Sequence, residues 1–245
     1  SVGSADSMAS PNTALDTIVA EAFCEAADEL EKADDFELAV HDLIKKNLAE
    51  HQRIIFNGDG YSDAWVKEAE RRGLPNIRSS IEAADALTTD AAVKMYEKFG
   101  IFTRRELESR QEIIYETYAK SINIEALTMI EMAGKQIIPA VIKYSRMLAD
   151  TVNSVKAAGG DASVESEQLH EVSTRLVSMQ KSLKELRTEE KKASSIKDQR
   201  KQAFYYKDKV NTAMEKLRKP SDELEMMVDK KIWPIPTYGD LMFDV

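Results

Sequence analysis

Apolar residues recur every three or four positions along most of the chain, the spacing that lines one face of an α-helix. Leu15, Ile18, Val19, Ala22 and Phe23 follow a helix-start signal, Pro11-Asn12-Thr13, and define a first helix. A second runs from about Phe36 to Glu50, with Leu38, Leu43, Ile44 and Leu48 nearly on one face. Arg53-Ile54-Ile55-Phe56 breaks this rhythm and reads as a short strand or an extended segment, not a helix. The following Asn57-Gly58-Asp59-Gly60 predicts a tight turn with positive φ angles. Ser62 caps a short helix holding Trp65 and Val66, which stops at Gly73 before Pro75. Ser79 with Glu82, and Thr103 with Glu106, are spaced as capping boxes, whose side chains satisfy N–H groups left unpaired in a first helical turn. Each cap is worth about 1 kcal/mol. Gly100 suits the C-terminus of the helix before the second box.

From Thr103 nothing strong enough to stop a helix occurs until Gly159-Gly160. Unbroken, that helix extends roughly 80 Å at about 1.5 Å per residue. Pro139 predicts a kink, because an interior proline loses a hydrogen bond and clashes with the preceding turn. Leu127, Ile130, Ile137, Val141, Tyr144, Leu148, Val152 and Val155 mostly keep three- and four-residue steps. Asp161 or Ser163 caps the next helix, where Leu169, Val172, Leu176, Met179, Leu183 and Leu186 alternate three and four residues apart as in a coiled-coil seam. The short glycine link makes these two helices antiparallel neighbours. Ala203, Tyr206, Val210, Ala213 and Leu217 give a third helix the same rhythm, and Pro220 suits the first turn of a final one with Leu224, Met227 and Val228. Helix cannot continue through Pro234 and Pro236. The segment Ile232 to Phe243 is nevertheless too apolar for a free tail and is expected to dock on its own chain or a neighbouring subunit.

Charge narrows the choice of partners. The 245 residues carry a formal net charge of −9, whereas nucleic-acid binding needs a surplus of Lys and Arg on one face. The most basic stretch, Lys184 to Lys201, is interleaved with Glu185, Glu189, Glu190 and Asp198, a solvated helix face. No apolar run approaches a membrane span of about 18 residues. Cys24, the single cysteine, lies among Ala22, Phe23 and Ala26 and reads as a core filler. A reducing, cytoplasmic setting is the simplest expectation.

Candidate chemistry is sparse. His41, His51 and His170 are the only histidines and none stands in a metal-ligand spacing, so surface positions are expected. Asn57-Gly58-Asp59-Gly60 lacks the alternating acidic ligands and closing Glu of a calcium loop. Phosphate-binding glycine motifs and nucleophile elbows are absent.

Three segments are more specific than generic helix. They are Arg53 to Ser62 (RIIFNGDGYS); Glu108-Ser109-Arg110 leading into Ile122 to Ile130 (INIEALTMI); and Asp222 to Lys230 (DELEMMVDK) running into Trp233 to Leu241 (WPIPTYGDL). In order and spacing they resemble the C-terminal part of type III glutamine synthetases, over nearly the whole chain. Between about Ser163 and Ala203 the resemblance is one of pattern more than of residues. Ser1 to Phe23 is similar to the segment that follows the family's catalytic Glu-x-Arg strand, so Ser1 is expected to be native sequence in a truncated record.

The resemblance implies a mainly α chain: the closing helices of the glutamine synthetase catalytic domain, itself α+β, followed by a long antiparallel helical bundle. The implied divisions are 1–125 for the catalytic-domain part, 126–231 for the bundle and 232–245 for an extended docking tail. It further implies a parent that forms glutamine from glutamate, ammonia and ATP through γ-glutamyl phosphate. Such a parent uses a divalent metal (Mg or Mn) and assembles as stacked hexameric rings. In the family, the metal-binding Glu and His residues and the catalytic arginines lie upstream of the position matching Ser1. No catalytic, cofactor-binding or metal residue is therefore carried onto this chain, which alone is expected to be inactive and to bind neither ATP nor metal. The alternative is a stand-alone helical scaffold that binds partner helices; it accounts for the seams but not for the Arg53–Ser62 or Trp233–Leu241 segments.

Overall fold

A computed structural model of the chain describes residues 7–236 and 238–243, and among these the regular structure is helical with no strand. The chain divides into two compact units, one ending at Gln111 and the other beginning at Glu112.

In the first unit, α1 spans Ala9–Leu30 and α2 Phe36–Glu50. Pro11 lies in the first turn of α1, where its missing N–H costs nothing. Asp35 caps α2 by accepting from the Leu38 N–H at 3.1 Å, and Lys46 ties the helix to α1 through Glu29 at 3.0 Å. The apolar run that follows departs from expectation. Gln52–Ile54 forms a turn of 3-10 helix, and only from Ile55 is the backbone extended. Among the described residues no strand pairs with it; instead the Arg72 guanidinium donates to the carbonyls of Arg53 at 3.2 Å and Ile55 at 2.8 Å, satisfying acceptors that a sheet would otherwise take.

The expected positive φ angles at Gly58 and Gly60 are also absent; the positive-φ glycines are Gly73, Gly100 and Gly159. Side chains close the loop instead. Asp59 Oδ1 accepts from the Tyr61 N–H at 2.9 Å, and Ser62 Oγ donates to the Asp59 carbonyl at 2.7 Å. Gly58 is needed for space, since a Cβ there would stand 2.6 Å from Cζ of Phe56.

Ser62 then caps α3, Asp63–Arg71, which ends ahead of Gly73 at φ 72°. Ser79 accepts from the Glu82 N–H at 3.3 Å and opens the short α4, Ser80–Ala84. Helix α5, Asp90–Lys98, finishes at Gly100 with φ 64°. The second capping box forms in full: Glu106 Oε2 accepts from the Thr103 N–H at 2.8 Å while Thr103 Oγ1 accepts from the Glu106 N–H at 3.4 Å. It opens α6, Arg104–Met132. Val93, Tyr96 and Leu107 form a small buried cluster, with Phe102 packed against it.

Helix α6 carries the chain into the second unit, through a π turn at Ala133–Ile137 and on into α7, Ile138–Ala157. The path stays helical through Pro139, and the disturbance expected there is this π turn. Widening the preceding turn removes the clash between the proline ring and the carbonyl four residues back. Gly159 at φ 81° reverses the chain into α8, Ser163–Ser195, which packs antiparallel along α7. Asp161 assists this start by accepting from the Ser163 N–H at 3.0 Å; Ser163 itself is the first helical residue and does not cap.

Helix α9, Gln199–Tyr205, a second π turn at Tyr206–Val210 and α10, Asn211–Glu225, complete the bundle. Val172, Met179, Leu183 and Leu186 of α8 meet Tyr206, Val210, Ala213, Leu217 and Leu224 in one buried core. Pro220 opens no new helix, contrary to its sequence reading: it sits buried inside α10. Ala213, Leu217, Pro220 and Leu224 form one helical stripe, so the proline ring fills the seam where its missing hydrogen bond would argue for a break. Beyond α10, Trp233 enters the same core, with Ile232 and Ile235 packed against it. The tail is not extended throughout. Tyr238–Phe243 forms a six-residue helix, α11, and Leu241, Met242 and Phe243 are exposed. Ser1–Asp6, Thr237, Asp244 and Val245, which the sequence reading includes, lie outside the described residues.

Candidate functional site

The residues first considered for chemistry stay apart. His41, His51 and His170 are exposed, and His41 Nδ1 lies 3.4 Å from the carboxylate of the adjacent Asp42. Cys24 is half-buried and follows the exposed Ala22 and Phe23, so it is not a core filler. Asp59 spends its carboxylate on the loop's own backbone. Among the described residues, no group of three or more His, Cys, Asp or Glu is placed to hold a metal ion. None of the helices is long and apolar enough to cross a membrane.

Two surface features of the first unit stand out. One is the apolar face of α1 and α2. Their only fully buried side chain is Thr17, whose hydroxyl donates to the Thr13 carbonyl at 2.6 Å. Residues that helical spacing marks as core are open to solvent here: Leu15, Ile18, Val19 and Phe23 of α1, with Phe36, Leu38, Ile44 and Leu48 of α2. Phe23 is 72% exposed. A groove of about 740 Å³ between α1 and α2 shares Ile44 and Leu48 with this face and is also lined by Ala22, Ala26, Leu43, Ile54 and Ile55. Its charged lining residues are Glu25, Glu29, Lys46 and Glu50. Exposed apolar surface of this extent is what protein–protein contacts cover.

The other feature is an arginine cluster built on the Arg53–Ser62 segment. Phe56 stacks on Trp65 with ring centroids 4.2 Å apart, and the Arg72 guanidinium lies over the same indole at 5.6 Å. Glu68 holds two arginines at once. Its Oε1 accepts from Arg71 Nη2 and Arg72 Nε, each at 2.6 Å, and its Oε2 accepts from Arg71 Nε at 2.7 Å. These hydrogen bonds, from Arg71 first and then Arg72, lower the Glu68 carboxyl to about 2. The outer side opens into a concavity of about 460 Å³ lined by Gln52, Arg53, Ile55, Asn57, Arg71 and Arg72. The sequence marked this segment as distinctive, but nothing in it signals that Arg71 and Arg72 join it from the end of the next helix.

Comparison with known proteins agrees with the resemblance. The family model of the glutamine synthetase C-terminal domain matches residues 39–156, from α2 to the end of α7. A glutamine synthetase from Butyrivibrio fibrisolvens is 35% identical over 214 residues, covering 86% of this chain and 31% of that protein. A type-3 glutamine synthetase from Dictyostelium discoideum is 32% identical over 255 aligned positions, covering 99% of this chain and 34% of its own length. A glutamine synthetase from Bacteroides fragilis is 30% identical over 211 residues, covering 84% of the chain and 29% of the relative. The chain belongs to the glutamine synthetase family and carries its C-terminal domain. It spans about a third of the length of these curated relatives.

Proposed function

We propose that this chain serves as the assembly-bearing C-terminal part of a type III glutamine synthetase. The parent joins ammonia to L-glutamate at the expense of ATP through γ-glutamyl phosphate, works in the cytoplasm and forms a homo-oligomer of stacked hexameric rings. In this reading the catalytic groups and the ATP and divalent-metal sites belong to the rest of the parent. Among the described residues no cluster of ligand side chains fits a metal.

The observation that carries the reading is the open apolar face of α1 and α2, in a chain matching about a third of each relative. Those helices have the pattern of core elements without a core of their own, which is expected of helices that close a larger domain. The bundle seals its own seam with buried side chains, and is suited to a structural role in an assembly.

The test is made in a protein of the relatives' full length that contains this chain. Phe23→Glu is expected to lower ATP-dependent glutamine formation and to break the oligomer, as read by sizing. Removing residues 160–245 is expected to alter assembly or stability. Wild-type activity, assembly and stability in both variants would overturn the proposal.

A further inference from the structure

The concavity beside α3 concentrates positive charge on a chain of net charge −9. Three arginines, a glutamine and an asparagine line it, with no Asp or Glu among the lining residues. The nearby carboxylate, Glu68, directs its hydrogen bonds to Arg71 and Arg72. With its proton held off down to about pH 2, it fixes both arginines without cancelling three positive charges.

The fork is held in place before any ligand arrives. Arg72 Nε is bound to Glu68 and its Nη1 to the carbonyls of Arg53 and Ile55, which leaves Nη2 uncommitted. Arg71 uses Nε and Nη2 on Glu68, leaving Nη1. Arg53 makes no hydrogen bond or ion pair through its guanidinium among the described residues, and the side chains of Gln52 and Asn57 are equally uncommitted. Planar donors arranged in this way match the oxygens of a phosphate group, and pre-fixed guanidiniums lose less entropy on forming each bond. Arg72 is further positioned by the Trp65 indole, over which its guanidinium lies at 5.6 Å and against which Phe56 stacks.

We propose that Arg53, Arg71 and Arg72, with Gln52 and Asn57, form an anion site for a phosphate group, supplied either as inorganic phosphate or as a phosphate monoester. The concavity is larger than orthophosphate, and Ile55 offers an apolar wall to whatever the phosphate is attached to. The site lies within the first unit and its existence does not depend on the role proposed for the parent.

Isothermal titration of the 245-residue chain at low ionic strength, first with inorganic phosphate and then with AMP, tests the proposal. Saturable binding is expected, weakened about tenfold by Arg53→Gln and by Arg71→Gln, and weakened further by added salt. Both substitutions are at exposed positions, and unchanged helical circular dichroism will confirm that the variants remain folded. Tighter binding of AMP identifies the monoester as the ligand, and equal or tighter binding of phosphate identifies the free ion. Absence of saturable binding of either anion, or binding unchanged in both variants, overturns the site.

Discussion

The Phe56 ring lies against the Trp65 indole at a centroid distance of 4.2 Å and an inclination of 25°. It can do so because residue 58 has no side chain: a Cβ on Gly58 would stand 2.6 Å from Cζ and 2.8 Å from Cε1 of Phe56. Stacked aromatic pairs contribute about 0.5–1.5 kcal/mol beyond the area they bury. Gly58→Ala should therefore displace the ring and destabilise the first unit by about 1 kcal/mol. Gly60→Ala meets nothing within 4 Å and has no positive φ to strain, so it should be nearly neutral. Denaturant titrations of the two variants, followed by tryptophan fluorescence, should separate them. Equal effects would show that the stack does not depend on Gly58.

Acid should loosen the arginine clamp in a defined window. The Glu68 carboxyl falls from its ordinary 4.5 to about 2 in the fold, so the unfolded chain binds more protons across that interval. Its stabilising contribution is complete above about pH 4.5 and disappears as pH falls toward 2. Carboxyl NMR of Glu68 should show a titration midpoint well below its ordinary 4.5. Glu68→Gln should remove that low-pH step from the stability profile of α3.

Within the bundle, burial and not apolarity should decide the cost of substitution. Leu217 is 1% exposed and Val177 72%. Leu217→Ala leaves a cavity and should cost about 2–5 kcal/mol. Val177→Ala should stay within about 0.5 kcal/mol. Thermal unfolding of both variants measures the contrast, and similar shifts in Tm would mean that α8 and α10 are not packed as described.

The π turn before Pro139 offers a gain. Gly134 has no positive φ, and the near neighbour of an added Cβ is Arg187 Nη2 at 2.9 Å, the mobile end of a long side chain. Alanine is preferred over glycine inside a helix by about 0.5–1 kcal/mol. Gly134→Ala should thus raise the stability of the second unit by about that amount in urea unfolding. A loss would indicate that Arg187 is fixed where it lies.

Much of this architecture follows from local signals. Ser62, Ser79 and the Thr103–Glu106 pair fix helix starts because the groups they satisfy lie within three residues. Gly73, Gly100 and Gly159 follow or end helices through positive φ angles, which depend on the residue itself. The α8 seam and the stripe of Ala203, Tyr206, Val210, Ala213 and Leu217 are legible for a similar reason: one unbroken period sets one face. The resemblance to glutamine synthetases was equally local, resting on three short segments in order.

Other features depended on partners distant in sequence. Pro220 remains inside α10 because the packed seam accepts its ring, which outweighs an intrinsic preference for breaking the helix. Ile54 and Ile55 avoid a strand because Arg72, seventeen residues beyond Ile55, takes the carbonyl a strand partner would have used. The apolar stripes of α1 and α2 read as core in the sequence, yet they face solvent. Periodicity states that a face seeks burial; only the tertiary structure reveals whether this chain supplies the surface that buries it.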